Sequence, residues 1–179
     1  DFGRVFAAGI TVEAAARNGA EVVAQEYLRL PPAPFPDPAP PPSDAAHDPA
    51  YYTNLHDMAA RTVCRELRRL PNSGYDQASD TCADVVVLAC IHDGADSACA
   101  TPPSGVASPA SMPDCTEMTP VPVPTQNAET PSMRYVEVRV CYRFTTIINL
   151  TDLSLPFGWG ISVGDIHLQR DRTFTVADW

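Results

Sequence analysis

The side chains able to do chemistry in this chain are few and scattered. No G-x-S-x-G, H-E-x-x-H or glycine-rich phosphate loop occurs. The four histidines, His47, His56, His92 and His167, lack the short spacing of a ligand set. Gly158-Trp159-Gly160 is a lone turn-like feature without cofactor meaning. One local cluster mixes donor types: His92-Asp93-Gly94-Ala95-Asp96, between Cys90 and Cys99. Oxygen ligands around a glycine turn could hold calcium, yet no bidentate Glu follows at the spacing such a loop needs. The expected role is an ordinary turn in which Asp and Gly supply the bend. Asn149-Leu150-Thr151 is a glycosylation sequon, meaningful only in a host that uses that modification. These residues point to a non-enzymatic protein with no cofactor and no metal.

Cysteine is the reactive residue type that remains. There are 6, Cys64, Cys82, Cys90, Cys99, Cys115 and Cys141, an even number without a C-x-x-C. Zinc sites usually bring closely paired cysteines, so disulfides in an oxidising compartment explain the set better. All six are expected to be oxidised in an exported, extracytoplasmic protein. Cys99–Cys115 would close a local loop. Cys64–Cys82 would staple a helix to the chain after it, and Cys90–Cys141 would link two strands.

Composition narrows the partners. The chain has 179 residues, 45% hydrophobic and 19% charged, a globular balance with room for one domain and its core. The formal net charge is -10 and every cation is an Arg. Such a surface repels polyanionic nucleic acid and disfavours broad docking on anionic headgroups. No segment is long and apolar enough to span a bilayer, and no signal peptide is present.

Residues 1–30 read as one amphipathic helix. Phe2, Val5, Phe6, Gly9, Val12, Ala16, Gly19, Val23 and Tyr27 recur in steps of three and four. Its many Ala and Gly residues would let another backbone come close. Residues 31–48 are proline-rich and predict a stiff, solvated connector. A second helix is expected over 49–70, with Leu55, Met58, Ala59, Val63, Leu67 and Leu70 as its stripe. Its Arg61, Arg65, Arg68 and Arg69 read as a solvated face suited to the helix dipole. Pro71-Asn72-Ser73-Gly74 ends it.

Residues 83–91 form a continuous apolar run, the pattern of an inner strand. Residues 94–131 make a long excursion that needs pinning, and Cys99 and Cys115 are placed to pin it. In the strand predicted over 133–144, Val136, Val138, Val140, Tyr142 and Phe144 alternate towards the core. Residues 145–159 form an apolar turn region, and a last strand or bent pair is expected over 160–176. The prediction is an α+β domain spanning 1–179: a long N-terminal helix packed on a small antiparallel sheet, a second helix and long Pro-rich loops.

Two phrases carry a family likeness. Asp1-Phe2-Gly3-Arg4-Val5-Phe6, followed by Ala15-Ala16-Arg17-Asn18-Gly19-Ala20, resembles the TadE-like family of tight-adherence pilus proteins. Val136-Glu137-Val138-Arg139-Val140-Cys141-Tyr142-Arg143-Phe144 is similar to that family's V-x-V-x-Y-x-F strand. The proline-rich connector, the 94–131 excursion and the six cysteines depart from the pattern. The resemblance implies a pilin-like arrangement and a membrane helix upstream of Asp1, which would explain why the chain opens on a helix already under way.

The expected function is that of a structural or assembly component of a tight-adherence type pilus or a related cell-surface complex. It would act through contacts with other subunits, and Phe2, Gly3, Val5, Phe6 and Gly9 would form the interacting and anchoring part of the helix. The rival reading is a secreted, disulfide-stabilised binding module that captures a ligand with the 94–131 loop.

Overall fold

The computed structural model describes residues 2–29, 49–93, 96–99, 115, 134–146 and 166–176. Helix α1 runs Phe2–Arg29 and helix α2 Pro49–Leu67. Proline at the first position of α2 needs no N–H there, and Arg65 lies in the last turn, where the helix dipole favours a cation. A two-stranded hairpin follows, β1 (Tyr75–Asp76) with β2 (Thr81–Cys82). The main sheet contains β3 (Val85–Asp93), β4 (Asp96–Cys99), β5 (Arg134–Phe144) and β6 (Ile166–Val176). Its order is β4-β3-β5-β6, with every pair antiparallel.

The apolar run of the sequence is therefore a central strand, as its unbroken hydrophobicity requires. Helix α1 packs on β5 and β6 and helix α2 on β3, so both helices cover one face of the sheet. Val136, Val138, Val140, Tyr142 and Phe144 all bury against them, with Val85, Val87, Ala89 and Ile91 beside them. The helices contribute Ala8, Val12, Ala16, Val23, Leu55, Ala59, Val63 and Leu67. Gly19 suits this close packing. A Cβ there would stand 3.0 Å from Val63 Cγ2 and 3.5 Å from Val138 Cγ1.

Three features depart from the expectations. The chain after α2 ends the helix and then builds a hairpin. Asn72 and Gly74 take left-handed φ of 60° and 61°, and Asp80 takes 55°. Asn, Asp and Gly are the residues that tolerate this region. Secondly, the 94–131 excursion begins with strand β4, whose Asp96 pairs with Asp93 across a two-residue connection. Thirdly, the sheet face away from the helices is also covered. Val86, Leu88, Cys90, Cys115 and Cys141 form a second buried cluster there, beside buried Tyr135 and Glu137. The Pro-rich connector, most of the 94–131 loop, Met133 and residues 147–159 of the apolar turn lie outside the described residues, as do residues 160–165 of the last predicted strand.

Candidate interaction surface

The first turns of α1 carry the largest exposed apolar groups among the described residues. Phe2 is 95% exposed, Phe6 71% and Ile10 56%. They stand four residues apart, so they form one row along the helix. Exposure falls along that row from Phe2 to Ile10, and Val12, on the side of the helix that joins the core, is fully buried. Beside the row lies a groove of about 390 Å³ between α1 and β6, lined by Val5, Phe6, Gly9, Ile10, Glu13, Leu168 and Arg170. Charge ties its two sides together: Glu13 pairs with Arg172, and with Arg170 at 3.5 Å. The polar run from Gln169 to Arg172, which interrupts the alternation of the last strand, thus ties β6 to α1.

Of the helix residues singled out from sequence, Phe2 and Phe6 project outward and Gly3 is open around its Cα. Val5 is half-buried against the core, and Gly9 sits in the groove. A Cβ at Gly9 would meet Arg170 Nη2 at 3.9 Å and nothing closer. The fold does not need glycine there, although glycine weakens a helix interior. Ile10, Leu168 and Arg170 were not singled out. Ile10 completes the four-residue spacing from Phe2 and Phe6 and could have been found; the β6 residues join only through the tertiary fold.

The cysteines obey the predicted chemistry but not all of the predicted pairing. Cys64–Cys82 forms as expected, with Cα atoms 5.5 Å apart. The other described bridge is Cys115–Cys141, at 6.0 Å, so neither Cys99–Cys115 nor Cys90–Cys141 exists. Register explains the second correction. Cys141 stands opposite Val86, whereas Cys90 stands opposite Glu137. Four residues of strand separate Cys90 and Cys141 by roughly 13 Å, beyond disulfide reach. Cys90 is oxidised too, and its neighbour in register on β4 is Cys99. Cys115 therefore fixes one point of the long excursion on the sheet face opposite the helices.

The arginines of α2 do more than face solvent. Arg61 binds Asp57 at 2.6 Å and the Ser79 carbonyl at 2.7 Å. Arg65 reaches Asp80 at 2.5 Å, and the Tyr75 hydroxyl donates to the same carboxylate at 2.6 Å. Together Arg65 and Tyr75 hold the Asp80 carboxyl down at about 2. These bonds clamp the hairpin onto α2 beside the Cys64–Cys82 bridge. Arg68 and Arg69 remain exposed. On the far sheet face Arg139 binds Glu137 at 2.5 Å. Burial and the neighbouring Glu137 push the Tyr135 phenol up to about 12.

Of the His92–Asp96 cluster, His92 and Asp93 end β3 and Asp96 opens β4, so the cluster is a hairpin as read; Gly94 and Ala95 lie outside the described residues. No group of three or more His, Cys, Asp or Glu is arranged to hold a metal among the described residues. No helix among them is long and apolar enough to cross a membrane. Compared with protein-family models, curated proteins and solved structures, the chain matches none of them.

Proposed function

We propose that this chain is a non-enzymatic structural or assembly component of a cell-surface complex, of the tight-adherence pilus type that its helix and strand phrases resemble. It acts through protein–protein contacts made by the first turns of α1. The observation that carries this reading is the row Phe2, Phe6 and Ile10, exposed beside a groove that the fold leaves open. Burying a large apolar side chain is worth about 1.5–3 kcal/mol, so a covering partner gains much from this row. Gly9 adds support, because an open glycine in the groove lets another backbone approach where the fold itself has no use for it. The disulfides fit an extracytoplasmic, surface-exposed setting. A membrane helix upstream of Asp1 would then anchor the chain, and α1 would continue it outward.

The test is Phe2→Ser with Phe6→Ser in the full-length protein. Assembly or surface retention should be lost while circular dichroism shows the domain still folded. Normal assembly by the double variant would refute the reading. The secreted binding module keeps one specific support: Cys115–Cys141 holds part of the 94–131 excursion against the sheet, opposite the helices.

A further inference from the structure

His56 is a polar residue in the apolar seam between α2 and the central strand. It is 1% exposed, and its ring Nε2 lies 3.0 Å from the Val87 carbonyl oxygen on β3. A carbonyl can only accept, so Nε2 carries the proton and donates. Nδ1 is then a bare acceptor, buried without a partner among the described residues. A second proton would have to enter at Nδ1. It would create a buried cation and an unsatisfied donor together, each costly in an apolar setting.

The surroundings offer little to offset that charge. From α1 the core face presents Val12, Ala16, Gly19, Ala20 and Val23, and from β3 Val85, Val87, Ala89 and Ile91, none titratable. The charged groups on the packed elements are Arg4, Glu13, Arg17, Glu21, Glu26 and Arg29 on α1, Asp57, Arg61, Arg65 and Glu66 on α2, Asp93 at the end of β3, and Asp76, Asp80 and Asp84 around the hairpin. Of these, Asp57 alone pulls the ring towards its charged form. The hydrogen bond to the Val87 carbonyl pulls the same way and more strongly, yet burial outweighs both and holds the imidazole below its ordinary 6.5.

We propose that His56 is an acid-sensitive latch that closes α2 onto the sheet when neutral and loosens that seam when protonated, with Cys64–Cys82 keeping the released helix tethered to β2. The sign follows from linkage. Below about 6.5 the unfolded or opened chain binds a proton that the closed form refuses, so closure is complete above that pH and weakens as pH falls. The loss is up to about tenfold in the folding constant per pH unit, until the depressed value of the closed form is reached. The depressed carboxyls Asp76 and Asp80 titrate in a lower range.

The test uses the oxidised full chain. Urea unfolding is followed from about pH 7.5 to about pH 5 for the natural protein and for His56→Gln, whose amide can still donate to Val87. The natural protein should lose folding constant below about pH 6.5 relative to the variant, approaching tenfold per unit. Parallel pH profiles would overturn the proposal. If His56→Gln does not fold, the His56 ring is titrated by NMR in the natural protein. An Nε2–H tautomer with a midpoint below 6.5 is expected, and a midpoint at or above it overturns the latch. Native-state hydrogen exchange at mildly acid pH should release the amides of Ala59 and Val63 before those of Val138 and Val140. Simultaneous release would overturn the local seam as the point of opening.

Discussion

Two glycines of the same helix should respond oppositely to the same substitution. Gly→Ala in a helix interior gains about 0.5–1 kcal/mol through backbone entropy and helix propensity. At Gly9 nothing opposes the gain, since the new Cβ meets Arg170 Nη2 at an ordinary 3.9 Å. Gly9→Ala should therefore stabilise by about 0.5–1 kcal/mol and raise Tm by about 1–4 °C in a chain of this size. At Gly19 the Cβ would lie 3.0 Å from Val63 Cγ2, 3.5 Å from Val138 Cγ1 and 3.6 Å from the Ala59 carbonyl oxygen. Both valines are fully buried, and a β-branched side chain has little rotamer freedom to retreat. Val63 or its helix must then give by a few tenths of an ångström, at an overpacking cost of about 1–3 kcal/mol, which exceeds the propensity gain. Gly19→Ala should fall below Gly9→Ala by at least about 1 kcal/mol in urea melts of equal m value. Equal stabilisation by the two substitutions would show that α1 and α2 are not packed as closely as described.

The bridges and the buried phenols give further expectations. Replacing Cys64 and Cys82 together by Ala opens a crosslink spanning 18 residues and should cost about 3 kcal/mol; removing Cys115–Cys141, spanning 26, should cost about 3.5 kcal/mol. Non-reduced peptide mapping should recover Cys115–Cys141, and recovery of Cys90–Cys141 would contradict the strand register. Burial raises the phenols of Tyr135 and Tyr142 to about 12, against 10.0 in an open chain. The unfolded state loses these protons first, so their stabilising share is whole below about pH 10 and disappears between about pH 10 and about pH 12. Absorbance titration should show two of the tyrosines ionising late, and their early ionisation without unfolding would argue against the core described.

What could be read from the sequence was what local patterning encodes. The strict alternation from Val136 to Phe144 fixed the core face of β5, and the unbroken run from Val85 to Ile91 marked an inner strand. The steps of three and four from Val12 to Val23 marked the buried side of α1, although Phe2 and Phe6 on the same stripe are exposed, and Leu55, Ala59, Val63 and Leu67 marked that of α2. Pairings across the fold leave no such trace. Nothing near Cys115 points to Cys141, because the link depends on where a long excursion returns. The same blindness hid the covered second face of the sheet: the alternation marks one face of β5 for the core and says nothing of what covers the other, where Glu137 is buried and bound to Arg139. The turn chemistry of Pro71–Gly74 was legible as a helix stop, but not that Arg61 and Arg65 would reach on to Ser79 and Asp80. At the candidate surface, Phe2 and Phe6 were visible as apolar groups near a helix start. The groove beside them needed β6, whose Leu168 and Arg170 come from the far end of the chain.

Contact between the first turns of α1 and partner subunits is tested most directly by photo-crosslinking in cells that produce the full-length chain. A photoreactive residue is placed at Phe6 in one version. In the other it replaces Gln77, at the exposed tip of the β1–β2 hairpin. Crosslinks to other surface-complex subunits are expected from position 6 and none from position 77. Crosslinks from position 77 with none from position 6 would contradict that contact.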